Sequence, residues 1–196
     1  LSDKIGAFQG QTIDGGISEI EITYQGIIST LNTSSLTVAY LKGILSQILD
    51  LKVNFVNAPS VAKERGIKIK EALIRDCSDY SGLIIAKVKT SKGEYSISGT
   101  LFDKNQRIIE INGLAVDVMP SGNKIFITNT DKPGVIGKLG TVIGAANVNI
   151  AGMTVGRKQI GKEAITIVEV DSSVSNDLID KISKIEGVTK VKNVSL

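Results

Sequence analysis

The chain has 196 residues, 42% hydrophobic and 22% charged, with 23 basic against 20 acidic side chains and a net charge of +3. That is a globular balance with room for one ordinary domain or two small ones. There is no histidine, and Cys77 is the single cysteine. Together these exclude Ser-His-Asp and Cys-His nucleophile systems, Cys/His zinc sites and a disulfide within the chain.

No apolar run approaches the roughly 20 residues that a membrane-spanning helix needs. No basic-then-apolar leader opens the chain, so a secretory signal is not expected. Leu1 in place of Met is what a fragment or a processed product would show. The absence of a disulfide fits a reducing compartment, and a cytoplasmic location is expected. Four Tyr, four Phe, no Trp and scattered lysines lack the basic patch with stacking platforms that nucleic-acid binders carry. The pairs Lys68/Lys70, Lys87/Lys89 and Lys190/Lys192 each align on one side of a strand, as solvated faces or edge protection do.

Residues 1–16 are glycine-rich without a clear period, with room for a short helix. Ile17 to Tyr24 alternates, Ile20, Ile22 and Tyr24 on one face and Glu19, Glu21 and Thr23 on the other, which predicts a half-buried strand. Gly26-Ile27-Ile28 is ambiguous. A helix capped at Ser34 or Ser35 is predicted to run to about Leu51 along Leu36, Ala39, Tyr40, Ile44, Ile48 and Leu51. Val53–Val56 reads as a connection or short strand. Asn57–Gly66 has the punctuation of a two-turn helix, Pro59 in the first turn and Gly66 at the stop. Strands are predicted over 67–75, 83–90, 94–102, 107–111 and 114–119. Ser91-Lys92-Gly93, Asp103-Lys104-Asn105 and Asn112-Gly113 mark the turns between them. Pro120-Ser121-Gly122 is the best domain boundary.

The second half is regular: strand 124–129, helix 134–146, strands 148–157 and 163–171, helix 176–186, strand 188–195. Ser175 offers a cap and Gly187 a stop. This βαββαβ order is the ferredoxin-like arrangement, two helices over one face of a four-stranded antiparallel sheet. The other face is left for something else to cover, so oligomerisation is expected. The fold class is thus α+β, with a mixed first domain over 1–120 and a βαββαβ domain over 123–196.

Asn129 to Ile150 is the stretch that carries chemistry. Asp131 can cap the helix and Pro133 suits its first turn. Val135, Ile136, Leu139, Val142, Ile143 and Ala146 form an apolar face, with Gly137, Gly140 and Gly144 beside it. Each mid-helix glycine costs roughly 0.5–1 kcal/mol relative to Ala, so a close neighbour is expected there: a helix or sheet, a ligand, or a subunit seam. A helix N-terminus suits a carboxylate, Asp131 can accept from an ammonium, and Asn149 can donate or accept. The competing reading is a plain cap plus a satisfied Asn. Gly156 to Lys162 fits G-x-x-x-x-G-K, but Glu163 follows and both flanks are strands, so a hairpin turn is expected. No G-x-G-x-x-G occurs, so no dinucleotide site is visible.

The D-K-P-G-V-I-G-x-L-G-x-x-x-G-x-x-x-V-N-I stretch resembles the ACT domain, a small-molecule-sensing module of amino-acid metabolism. Val56-Asn57-Ala58-Pro59 through Glu64-Arg65-Gly66, Ser98-Gly99-Thr100-Leu101-Phe102, Ile111-Asn112-Gly113 and the ACT-like tail together resemble the C-terminal half of long-form D-3-phosphoglycerate dehydrogenases. The resemblance implies an intervening, allosteric substrate-binding domain followed by an ACT domain. It implies that L-serine sits at an ACT–ACT seam as feedback inhibitor of serine biosynthesis, and that copies associate through that seam. Catalytic domains with NAD are implied for the parent, with no cofactor or metal in this chain and no catalytic residue here. The implied serine site is Asn129, Asp131, Pro133, Gly134, Val135, Ile136, Asn149 and Ile150. Asn129 stands where members often carry His or an aromatic ring. Arg107, in the matching Q-x-I-x-x-I-N-G segment, is a candidate anion-binding residue, although Met119 and Glu169 stand where some relatives are basic. Two rival readings are the β chain of an iron–sulfur L-serine dehydratase, which resembles the same domain pairing, and a dimerisation module with no ligand.

Overall fold

The computed structural model describes residues 1–77 and 79–196 and separates by contacts into two units, Leu1–Gly113 and Leu114–Leu196. That division falls in the Asn112-Gly113 turn, ahead of the Pro120–Gly122 punctuation. Both turn residues have positive φ (51° and 72°), the conformation a tight hairpin requires.

The first unit opens with α1 (Ser2–Thr12), followed by β1 (Ile17–Gly26) and a short 3-10 turn at Ile27–Thr30. Then come α2 (Ser34–Ile48), α3 (Ala58–Glu64), β2 (Lys68–Ile74), β3 (Gly82–Thr90), β4 (Gly93–Phe102) and β5 (Asn105–Ile111). Its strands are ordered β2-β1-β3-β4-β5, and β6 (Leu114–Val118) opens the second unit. The β1–β2 pair is parallel and the β1–β3–β4–β5 pairs are antiparallel. Alternation along β1 places Ile20, Ile22 and Tyr24 in the core, opposite Val88, Ala86 and Ile84 of β3, all buried. Glu19 and Glu21 lie on the other face, opposite Lys89 and Lys87. Lys70 on β2 pairs with Glu19 at 2.8 Å, which holds that carboxyl below its ordinary range. The lysine pairs of β2 and β3 are exposed, a charged strand face as expected.

Glycine lets the two long helices meet. A Cβ on Gly43 of α2 would strike the backbone of Asp3 and Ala7. One on Gly6 of α1 would strike Tyr40 O, and one on Gly10 would meet Ile44 O at 2.7 Å. Gly6 and Gly10, two of the glycines that gave residues 1–16 no clear period, are therefore part of the contact surface of α1. Two buried tyrosines stitch this layer: Tyr40 Oη donates to Gln9 Oε1 (2.6 Å), and Tyr24 Oη bonds Thr37 Oγ1 (2.7 Å). Burial pushes the Tyr24 phenol up to about 12, and Tyr40 well above its ordinary value.

One local expectation changes, and one open reading resolves. The α2 cap position is Thr33, with no side-chain cap bond, and Asn32 Oδ1 accepts from Ser34 N instead. Val53–Val56 is not a strand: Asn54 Oδ1 accepts from Val56 N and Asn57 N, while Asn57 Oδ1 accepts from Asn54 N. Satisfying those amides within the turn leaves none for a ladder, and Phe55 and Val56 stand exposed. Cys77 is half-buried.

The second unit contains β6, then β7 (Asn123–Thr130), α4 (Val135–Ala145), β8 (Ile150–Arg157), β9 (Glu163–Val170), α5 (Asn176–Ser183) and β10 (Val188–Ser195). From β7 onward this is the expected βαββαβ order, with an antiparallel sheet ordered β10-β7-β9-β8. Ile125, Ile127, Val168 and Val170 meet Val135, Leu139 and Ile143 of α4 and Leu178 and Ile182 of α5 in one core. Ser175 caps α5 by accepting from Leu178 N.

The face left for something else to cover is covered in part from within the unit. Phe126, Ile165 and Ile167 on that side are 0–2% exposed. Strand β6 lies against it: Thr154 Oγ1 donates to Asp117 O (3.2 Å), and a Cβ on Gly156 would meet Ala115 O at 2.7 Å. Leu114, Val116 and Val118 are the buried alternate residues of β6, so this short strand supplies apolar cover that the period alone left unassigned.

Candidate functional site at the start of the second helix

Strand β7 ends at Thr130, whose N–H donates to Gly187 O (2.7 Å). Asp131 then anchors the β8–β9 hairpin, its N–H donating to Lys162 O (2.8 Å) and its carbonyl accepting from Gly161 N (3.1 Å). Gly156–Lys162 is thus the end of β8 and a turn, as expected of a G-x-x-x-x-G-K without phosphate-loop context.

Asp131 does not cap the helix. The cap position of α4 is Gly134, at φ 89°, with no side-chain cap bond. A side chain there would be strained, and Pro133 lies ahead of the helix, not in its first turn. Asp131 turns instead to Arg157, whose Nη1 donates to Oδ2 at 2.6 Å. The two side chains are 19% and 51% exposed. An ion pair with so wet a partner contributes about 0–1 kcal/mol, so its geometry matters more than its energy. No side chain caps the helix, and Val135 N–H donates to Lys132 O at 3.4 Å; a helix start without a side-chain cap is a place where an acceptor can bind.

The remaining predicted residues divide. Asn129 is 3% exposed, its Oδ1 accepting from Thr166 Oγ1 (2.9 Å) and its Nδ2 donating to Thr130 O (3.1 Å). It supports β7 from inside. Val135 is buried, while Pro133, Gly134 and Ile136 are exposed. Asn149 is exposed, donating to Asp171 Oδ2 (2.5 Å), and Ile150 packs against the helix-side core.

Asp131 and Asn149 are not brought together. Ile150 aligns with Val170 and thereby with Asn123, whereas Arg157 aligns with Ala164 and thereby with Asn129. Six strand residues at about 3.4 Å each place the two ends of the sheet about 20 Å apart. Gly137, Gly140 and Gly144 meet nothing within 4 Å, so the close neighbour expected at that stripe is not found within the unit.

Two residues with clear roles escaped the sequence reading. Arg157 is the single charged residue of β8; the strand register, which periodicity does not supply, carries it to Asp131. Lys124, 2% exposed, donates to Ser121 O (2.8 Å) and Glu169 Oε1 (3.1 Å), so Glu169 is neutralised from within. Arg107 lies half-buried on β5, donating to Gln106 O (3.3 Å) among its interactions. Among the described residues no group of His, Cys, Asp and Glu is arranged to hold a metal ion, and no helix is long and apolar enough to cross a membrane.

Comparison with known proteins accounts for both units. Residues 1–112 match the D-3-phosphoglycerate dehydrogenase intervening domain, and residues 124–187 match the ACT domain. The chain is similar along its whole length to D-3-phosphoglycerate dehydrogenases of Bacillus subtilis (35% identical), Synechocystis (36%) and Archaeoglobus fulgidus (34%). It spans 38%, 36% and 38% of those proteins, in their C-terminal part. The chain belongs to the D-3-phosphoglycerate dehydrogenase family, of which it comprises the intervening and ACT domains.

Proposed function

We propose that this chain is the region through which L-serine, end product of the pathway, inhibits a parent NAD-dependent D-3-phosphoglycerate dehydrogenase. Serine or a related amino acid binds at a seam between the ACT units of two copies, and the catalytic domains of the parent receive the signal. One observation carries the reading: Asp131 and Asn149 lie at opposite ends of one sheet, about 20 Å apart. A ligand of serine's size touches both only if a second copy brings its own Asn149 to the first copy's Asp131. The start of α4 follows Asp131 closely in the chain and carries no side-chain cap, and the open glycine stripe allows a second backbone to approach. Asn129 acts as internal support for β7. The names of the relatives favour this reading over a serine dehydratase subunit. The intervening domain, with Arg107, is proposed as the site for an anionic effector. Domain limits of 1–120 and 123–196 are retained as a proposal for independent expression.

Titration calorimetry with L-serine, glycine and 3-phosphoglycerate, with light scattering alongside, tests the reading. Serine binding to a dimer is the expected result. A monomer at tens of micromolar removes the seam, and a dimer that ignores amino acids leaves only a dimerisation module.

A further inference from the structure

We infer that Arg157 reads the carboxylate of the bound amino acid while Asp131 reads its ammonium, so that the ion pair between them is the ligand-free state of a zwitterion site. The inference rests on the amino-acid reading above and adds a residue and a selectivity rule to it.

Both backbones are held in place. Asp131 is fixed by its backbone bonds to Gly161 and Lys162, and Arg157 by its ladder position opposite Ala164. Their contact uses one donor of the guanidinium and one oxygen of the carboxylate. Among the described residues no other hydrogen bond engages Oδ1 of Asp131 or the remaining N–H donors of Arg157. The pair therefore presents an unfilled acceptor next to unfilled donors, and the start of α4, close after Asp131 in the chain, carries no side-chain cap.

A free α-amino acid carries its carboxylate and ammonium on one carbon, which is the complementary pattern. A guanidinium fork matches a carboxylate by paired hydrogen bonds, as an ammonium on a flexible stem does not. Because Arg157 is 51% exposed, it can shift toward a ligand without leaving a buried charge unpaired. The predicted ligands are free amino acids; a compound lacking either charge is rejected.

Calorimetry on the full chain near pH 6, with L-serine, L-serinamide and ethanolamine as probes, tests this. The wild-type chain is expected to prefer L-serine to both by tenfold or more. Arg157→Gln is expected to lose tenfold or more for L-serine and to bind L-serine and L-serinamide within about threefold of each other. Arg157→Lys, which keeps the charge without the fork, falls between, and it decides the matter if Arg157→Gln fails to fold. Full serine affinity in Arg157→Gln, or an undiminished preference for serine over serinamide, overturns the inference while leaving the amino-acid site standing. Failure of the wild-type chain to bind serine overturns both.

Discussion

The two units use the same residue in opposite ways. In the first, Gly6, Gly10 and Gly43 sit where α1 crosses α2, and added methyl groups would strike backbone atoms. In the second, Gly137, Gly140 and Gly144 line α4, and added methyl groups would meet nothing. In the first unit the cost of glycine in a helix is offset by a close internal crossing. In the second no contact within the unit offsets it, which is why a second copy is the natural place to look.

The largest effect expected from this contrast is at Gly43. Its Cβ would fall on the backbone of Asp3 and Ala7, which side-chain motion cannot relieve. Gly43→Ala is expected to destabilise the first unit by about 3 kcal/mol, read by denaturant unfolding with tyrosine fluorescence. All four tyrosines (24, 40, 80 and 95) belong to that unit, so the signal is specific to it. A change below about 0.5 kcal/mol would mean that the helices do not cross this closely.

Alkali sharpens the comparison next. The Tyr24 phenol lies near 12 in the folded chain, and Tyr40 is also raised, against about 10 when unfolded. A raised folded value means that the stabilisation is complete below about pH 10 and is lost as pH climbs through the folded value. The first unit should therefore weaken between about pH 10 and 12, with Tyr24→Phe flattening that dependence. An unchanged pH profile in Tyr24→Phe would contradict the burial argument.

The smallest effect is at Gly140. In an isolated unit Gly140→Ala should stabilise α4 by about 0.5–1 kcal/mol, while weakening association if a partner backbone approaches the stripe. Thermal melts and light scattering separate the two. Greater stability with unchanged association would place the seam elsewhere.

Most of the fold was legible, and the failures share a cause. Strong alternation made β1, β4 and the βαββαβ order readable, because polar-out, apolar-in patterning reflects local sequence. Helix α1 was allowed for, but its packing face was unreadable because Gly6 and Gly10 look like breakers until Gly43 is known to face them. What covers the second sheet face was left unassigned because nothing in β6 announces that it will lie over Thr154 and Gly156. In the site, the helix following Asp131-Lys132-Pro133-Gly134 was visible from the sequence, but its missing side-chain cap and the exposure of Ile136 were not. The partner of Asp131 was not, since only strand register brings Arg157 to it. Separation of Asn149 from Asp131 is a register fact of the same kind.

The central claim is that each amino-acid site takes Asp131 from one copy and Asn149 from another. Asp131→Ala and Asn149→Ala should each weaken L-serine binding, the first by roughly ten- to a hundredfold, since each removes a hydrogen-bond partner and the Asp131 contact is charge-assisted. The decisive measurement mixes the two variants, lets subunits exchange, and titrates L-serine into the mixture. A mixed pair carries one site with both residues intact and one with neither, so near wild-type affinity should return at one site per mixed dimer. Mixtures that bind no better than the separate variants would contradict a site shared between copies.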